Sequence, residues 1–534
     1  MSRFARIVLS LLPLLSLACI EITLPTARVA DVPPPAPVGS AERPAEVGAV
    51  RRARGPAGGP FKNRLALTLT PSRTTGPRVD RLDVTLDFSG DVTAEGAPLV
   101  LSLRDVDLGE TGWASRIDEL GAEDEQGPLT LRRSDGGWRS GGMSRTVWTS
   151  DRPRHGDVSV HYRVDVPRPT QTRSNFGLHG DSVGLGGPAR TFLLMPLGDE
   201  SLHVDLRWQL GGLARGASGA CRHGEGNVVF DATPRVLERE IFVAGPLITT
   251  TLPDGDGTLK AIWLGEPGFD RERLLPLVQT VRRAAEKTFG MKAPRPLIFV
   301  RTQEDAPGGS GEADDDALTL LLSPRIGFST DTRMTIAHET LHAWLGHALR
   351  LVGDPEPTWF TEGFTVHYAR KLLTRAGVIS PDELLVELAR HGALYAQLSL
   401  TQPSKVATAL PRTADASPSL VPYVHGSFYA AELEASLLAR SHGTRSLDDL
   451  VRDVFHREAG FVPVVRFRDR VREALGEDGA ARFDAVIGQG SPAEPPSNAF
   501  GACFRRVPLS PLSGVRLLAW ERSGACDHRG RPRP

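Results

Sequence analysis

The densest chemistry in this 534-residue sequence is the run His338-Glu339-Thr340-Leu341-His342. Two histidines four positions apart lie about one helical turn from each other on the same face, close enough for both imidazoles to hold one metal ion. Glu339 is adjacent but angularly displaced, so it reaches a water on the metal rather than the metal. Zinc brings the pKa of such a water towards neutrality, and a carboxylate beside it takes the proton as the oxygen attacks a peptide carbonyl. A catalytic zinc needs a third protein ligand and one open position. Two candidates follow, His347 and Glu362. His347 lies about 180° around the helix from His338 and points away from the metal if the helix continues. It also misses the offsets of a His-x-x-Gly-x-x-His continuation. Glu362 stands in Pro357-Thr358-Trp359-Phe360-Thr361-Glu362-Gly363-Phe364, where Pro357 and Thr358 open a new helix running to Gly377. Such a helix can bring a carboxylate back across the first.

The pair of segments, His-Glu-x-x-His and then Trp359-x-x-Glu362-Gly363, resembles the gluzincin metallopeptidases. That resemblance implies one zinc ion held by His338, His342 and Glu362, with Glu339 as general base. Nineteen residues, 343 to 361, separate the last two ligands, close to the spacing in the large aminopeptidases of that clan. The surrounding words, Trp-Phe-Thr-Glu-Gly-Phe-Thr, then Tyr368, then Arg375-Ala376-Gly377-Val378-Ile379-Ser380-Pro381, are more similar to the glycyl aminopeptidase family. That family typically has a longer insert between its zinc helices. It also has a tyrosine in a Tyr-x-Lys-Gly segment that stabilises the oxyanion, and Tyr423-Val424-His425-Gly426 fits, with His in place of Lys. The other reading of Tyr423 is an aromatic packed at a helix start, and His425 either lines the cleft or is solvated. Upstream, Gly308-Gly309-Ser310-Gly311-Glu312 resembles the family's Gly-rich segment with its acidic residue, followed by an edge strand that pairs with substrate backbone. An edge suits that use, because an extended peptide gains main-chain hydrogen bonds by adding as a strand. An acidic residue there can hold a free amino group, which makes Glu312 the candidate substrate-binding residue. Asp314 to Asp316 supply the rival reading of a solvated acidic loop.

These residues need elements to position them. A strand runs from Leu259 to Leu264, a helix from an N-cap at Asp270 to Gly290, and further strands from Leu297 to Val300 and from Ala317 to Leu322. This strand and helix alternation predicts an α/β zincin domain over 256–379, thermolysin-like if the resemblance holds. Before it, Leu82, Val84, Leu86 and Phe88 alternate with polar residues, as do Val158 to Val166 and Leu202 to Leu210, which predicts an antiparallel β-sandwich-like domain over 61–255. After it, the Ser380-Pro381-Asp382-Glu383 start, the apolar run Phe428 to Leu438 and the Ser446 start predict an α-helical subdomain over 380–490 that completes the active site. The tail 491–534 is too short for the PDZ domain that many relatives of the glycyl aminopeptidases append. It holds Cys503 and Cys526, which are expected to bridge, leaving Cys221 without a role.

The chain opens with Arg3, Arg6 and fourteen residues from Ile7 to Ile20, too few apolar residues to span a bilayer, which predicts a signal peptide over 1–18. Leu15-Ser16-Leu17-Ala18-Cys19 resembles a lipoprotein box, implying lipidation of Cys19, with plain export to the bacterial cell envelope or beyond as the alternative. A Pro/Gly/Ala-rich tether over 19–60 follows. Lys+Arg 63 against Asp+Glu 64 leaves a net charge of -1, which argues against a nucleic-acid binder, and four cysteines exclude a disulfide scaffold. The expected function is therefore a zinc metallopeptidase acting on peptide or protein, most readily an aminopeptidase. The alternatives are an endopeptidase of the same fold or a catalytically silent peptide- or glycan-binding envelope lipoprotein.

Overall fold

Alternation of period two builds the first half of the molecule. In the strand Arg81–Gly90 the residues Leu82, Val84, Leu86 and Phe88 are buried and their neighbours are not. It pairs antiparallel with Asn63–Ser72 on one side and Val158–Asp165 on the other. The strand Leu202–Trp208 instead joins Asn63–Ser72 in parallel, which a tight hairpin cannot do and a long connection can. Among the described residues this seven-stranded sheet is accompanied by a four-stranded and a five-stranded sheet. All three contribute to one core, through residues such as Leu67, Val160, Leu101, Trp148, Leu185 and Phe242. The protein is known here as a computed structural model. It describes residues 63–90, 96–107, 110–140, 143–169, 176–303, 309–314, 316–401, 420–458, 460–507 and 518–523. The signal segment, Cys19, the tether and Cys526 lie outside the described residues.

The change of period marks the second half. Gly257–Leu264, Leu297–Thr302 and Ala317–Leu322 are parallel neighbours, and the helix Leu274–Phe289 makes the crossover between the first two. Asp270 does cap the Glu272 N–H at 3.0 Å, but a 3₁₀ turn, Arg271–Arg273, intervenes before the α-helix begins. Two antiparallel strands complete the sheet, Leu247–Asp254 at one edge and Gly309–Ala313 at the other. One face carries the helices Leu274–Phe289 and Thr330–Leu341, with Val278, Val300, Leu320 and Ile336 in a common core. The opposite face meets the β-rich half, where Ile262, Phe299 and Ala317 pack on Ala220, Ile241 and Val243. This seam makes Asn63–Pro534 one compact unit.

The remaining chain is mostly helical, with Pro381–Thr401, Val421–Arg440, Leu447–Arg457 and Val464–Leu475 as its longer elements. Ser380 and Glu383 exchange side-chain to backbone hydrogen bonds at 2.8 and 3.2 Å, the reciprocal cap expected from their spacing. Trp520 anchors the tail, stacked on Phe428 and edge-on to Phe500. Cys503 is disulfide-bonded. Cys221 is buried and free, and burial pushes its thiol up to about 12, so it serves as packing rather than as a nucleophile. No described helix is long and apolar enough to cross a membrane.

Candidate metal centre

Ser329 caps the helix Thr330–Leu341, its hydroxyl accepting the Thr332 N–H at 3.3 Å. The last turn delivers His338 and Glu339, and His342 stands at the C-cap. The two Nε2 atoms are 3.0 Å apart, and Glu362 Oε2 lies 3.2 Å from the first and 3.5 Å from the second. Two ligands each about 2.1 Å from a zinc ion at a tetrahedral angle stand about 3.4 Å apart, so three such atoms outline one face of a zinc tetrahedron. The donor chemistry, two imidazoles and one carboxylate, suits the same ion. His342 Nδ1 is 3.0 Å from the Leu345 carbonyl; with a proton donated there, Nε2 presents its lone pair to the shared point.

The electrostatics agree with that geometry. Burial works against ionisation of Glu362, but the adjacent His342 and His338 outweigh it and hold the carboxyl well below the usual carboxylate range. Burial likewise opposes charge on His342, and Glu362 reverses this, pushing the imidazole up to about 9. Glu362 is thus a half-buried carboxylate kept ionised by positive charge, which is what a divalent cation requires of a ligand. Exchanging Glu362 for Gln leaves only the two imidazoles as strong donors. Zinc in the purified variant is expected to fall well below one ion per chain after dialysis, read by elemental analysis, and full retention would remove Glu362 from the ligand set.

Glu339 has a carboxylate oxygen within 4.8 Å of both imidazole donors. It is 8% exposed, and burial pushes its carboxyl up against the opposing pull of His338 and His342. A carboxylate whose pKa is raised by burial is a stronger base than an exposed one, which suits a group beside the metal position that takes a proton. The edge strand Gly309–Ala313 lies directly over it. A Cβ at Gly311 would stand 2.2 Å from Glu339 Cγ, so only glycine permits this approach.

Glu362 arrives on a π-helical turn, Trp359–Phe364, that runs into the helix Thr365–Arg375. Such turns recur at functional sites because they re-aim one side chain within a helix. The zinc helix does not continue to His347: it ends after Leu341 and the chain turns, with Gly346 at φ 118°. The angular argument against His347 therefore lapses, and what favours Glu362 is its distance of 3.2 and 3.5 Å from the two imidazoles.

Tyr423 sits at the start of Val421–Arg440 with its ring stacked on His338, centroids 5.7 Å apart and planes 25° from parallel. Two glycines allow this. The Cα of Gly426 would be 2.4 Å from a Cβ on Gly363, and a Cβ on Gly426 would be 2.1 Å from the Trp359 carbonyl oxygen, so the two helices cross with backbone touching backbone. His425 neither lines the cleft nor meets solvent. It is 1% exposed, bonded to the Tyr395 hydroxyl at 3.0 Å and the Val486 carbonyl at 3.1 Å, and burial pushes it down to about 4. Its place two residues after Tyr423, about 200° around the helix, was the available signal.

Glu312 is on the same edge strand as Gly311, and its Oε1 is 2.5 Å from Arg190 Nη2. Of the acidic residues that follow, Asp314 is largely shielded and paired with Arg222 at 2.7 Å, whereas Asp316 meets the same guanidinium at 2.8 Å while its side chain stays 62% exposed, as a solvated position would be. Sequence reasoning missed both arginines. No local pattern marks Arg190, which lies 122 positions from its partner.

No protein-family model matches the sequence, and no curated protein matches it. Solved structures do match. An aminopeptidase N family protein from Idiomarina loihiensis aligns with a TM-score of 0.62 at 16% identity, over 84% of this chain and 80% of its own. An M1 zinc metallopeptidase from Deinococcus radiodurans aligns at 0.47 and 18% identity over 82% and 97%, and the native yeast LTA4 hydrolase at 0.48 and 14% over 81% and 69%. The first carries the comparison: this chain has the fold of the aminopeptidase N family, the gluzincin architecture that the paired zinc motifs resemble.

Proposed function

We propose that this protein is a peptidase with one zinc ion on His338, His342 and Glu362, and that it removes residues from the free amino end of peptides. The observation that carries the reading is the convergence of those three donor atoms within 3.0 to 3.5 Å beside a buried, proton-accepting Glu339. When bound, zinc acidifies a coordinated water and polarises the scissile carbonyl. Glu339 takes the water's proton and returns it to the departing amine. The Tyr423 hydroxyl donates a hydrogen bond to the oxygen that gains charge. Gly309–Ala313 is the edge strand that an extended substrate would join, and Glu312 on it accepts the substrate's terminal ammonium.

Two comparisons test this. Peptide-library cleavage should stop on chelation and return with added zinc, and free peptides should be cut far faster than their N-acetylated counterparts. Equal cleavage of blocked peptides makes the enzyme an endopeptidase of the same fold, and cleavage that survives chelation overturns the zinc reading. Export through residues 1–18 with a lipid on Cys19, and a bridge from Cys503 to Cys526, belong to the same proposal. Mass spectrometry of the mature N-terminus and of the tail peptides checks both.

A further inference from the structure

The β-rich half does more than support the catalytic sheet. Arg190, in the 3₁₀ turn Ala189–Thr191, is 6% exposed and contacts Glu312 across the seam between the two halves. Arg222, just after the strand Ser218–Cys221, binds Asp314 in the hairpin turn that follows the same edge strand. Both arginines rest on residues 238–240. The Arg190 N–H donates to the Glu238 carbonyl at 2.8 Å and the Ala189 N–H to the Glu240 carbonyl at 2.8 Å. The Arg222 N–H donates to Glu240 Oε1 at 2.7 Å, and its guanidinium also reaches the Arg239 carbonyl. One short segment thus aims two cations, Arg190 buried and Arg222 half-buried, at one edge hairpin, one at the strand and one at the turn. The strand between them has Gly311 seated on Glu339, so the position of Glu312 is tied to that of the general base.

From this geometry we infer that Arg190 is a positioning residue that sets amino-terminal specificity, by holding the Glu312 carboxylate at a fixed distance from the reacting centre. The inference rests on the reading of Glu312 as the amine-binding group. The contact runs from Arg190 Nη2 to Glu312 Oε1, and the N–H bonds of a planar guanidinium have fixed directions, so it orients the carboxylate more tightly than a freely rotating lysine ammonium would. A misplacement of about 1 Å in a substrate-positioning group costs about 100-fold in rate.

The test measures kcat/KM on a free peptide and on its N-acetylated form, for the zinc-loaded full chain and its variants. Arg190→Met is expected to lower the free-over-blocked ratio about 100-fold with zinc content unchanged. Arg190→Lys should fall between Met and the parent, since it keeps the charge and loses the planar geometry. Arg222→Met removes the contacts to Asp314, Asp316 and the Arg239 carbonyl but leaves the Arg190 to Glu312 bond itself, so it should lower the melting temperature and leave the ratio in place. A parental ratio in Arg190→Met, with the ratio collapsed in Glu312→Gln, overturns the inference while the amine-binding reading stands. A parental ratio in Glu312→Gln overturns both. If Arg190→Met fails to fold, Arg190→Lys decides: an unchanged ratio overturns the inference.

Discussion

Replacing Glu339 with Gln is expected to lower kcat for peptide hydrolysis about 10²–10⁴-fold while the zinc content of the purified protein stays at the parental level. The reason lies in the division of labour at the site. The donor atoms of His338, His342 and Glu362 lie 3.0 to 3.5 Å from one another, so the proposed ligand set is complete without Glu339 and zinc should be retained in its absence. The glutamine has the same shape under Gly311 and keeps the strand in place, but its amide cannot accept and return a proton. Elemental analysis and steady-state kinetics on the same preparation separate the two properties. Loss of zinc along with activity would make Glu339 a ligand, and retention of activity would place the general base elsewhere.

Gly426→Ala should be the most damaging small substitution outside the metal ligands. Its added methyl would meet three backbone atoms, Trp359 O at 2.1 Å, Trp359 C at 2.9 Å and Gly363 Cα at 3.0 Å, and no side-chain rotation relieves backbone contacts. Nor can Trp359 retreat, because its ring is packed edge-on among Phe360, Phe364, Phe467 and Phe483. Overpacking of this kind costs about 1–3 kcal/mol or more. Relief by moving Val421–Arg440 outward takes Tyr423 away from His338, which predicts a loss of about 100-fold in kcat. Gly443→Ala is the control. That glycine has φ 84° and open space around it, so alanine there strains the backbone by about 1 kcal/mol and leaves turnover unchanged. Melting curves and kinetics on both variants read the difference. Parental behaviour of Gly426→Ala would mean that the crossing has slack and that Tyr423 is not held by it.

The parts legible in the sequence are those whose causes are local. The four-residue spacing of His338 and His342 puts two ligands on one helical face whatever surrounds the helix. The alternation through Leu82 to Phe88 makes a strand with one buried face, and the Ser380/Glu383 pair caps a helix within its own first turn. Where the local signal was weaker, the reading slipped. Asp270 is a true cap, but of a 3₁₀ turn, and the helix that was to carry His347 away stops at Leu341. His425, polar and adjacent to a site residue, is in fact buried, because two residues along a helix is nearly the opposite face.

By itself, then, the sequence determined a strand-rich first half, an α/β second half and a helix with two imidazoles and a carboxylate in its last turn. Periodicity and capping act within a few residues, and those few residues are all that such features need. The family resemblance named Glu362 and Tyr423, but only the tertiary structure brings them against the imidazoles, and only it decided which arginine holds Glu312. Each of those depends on two segments meeting from far apart in the chain, at Gly363 with Gly426 and at Arg190 with Glu312. Such meetings are set by the packing of whole sheets and helices, in which a missing Cβ or a single guanidinium selects the approach, and no short-range pattern in the chain records the outcome.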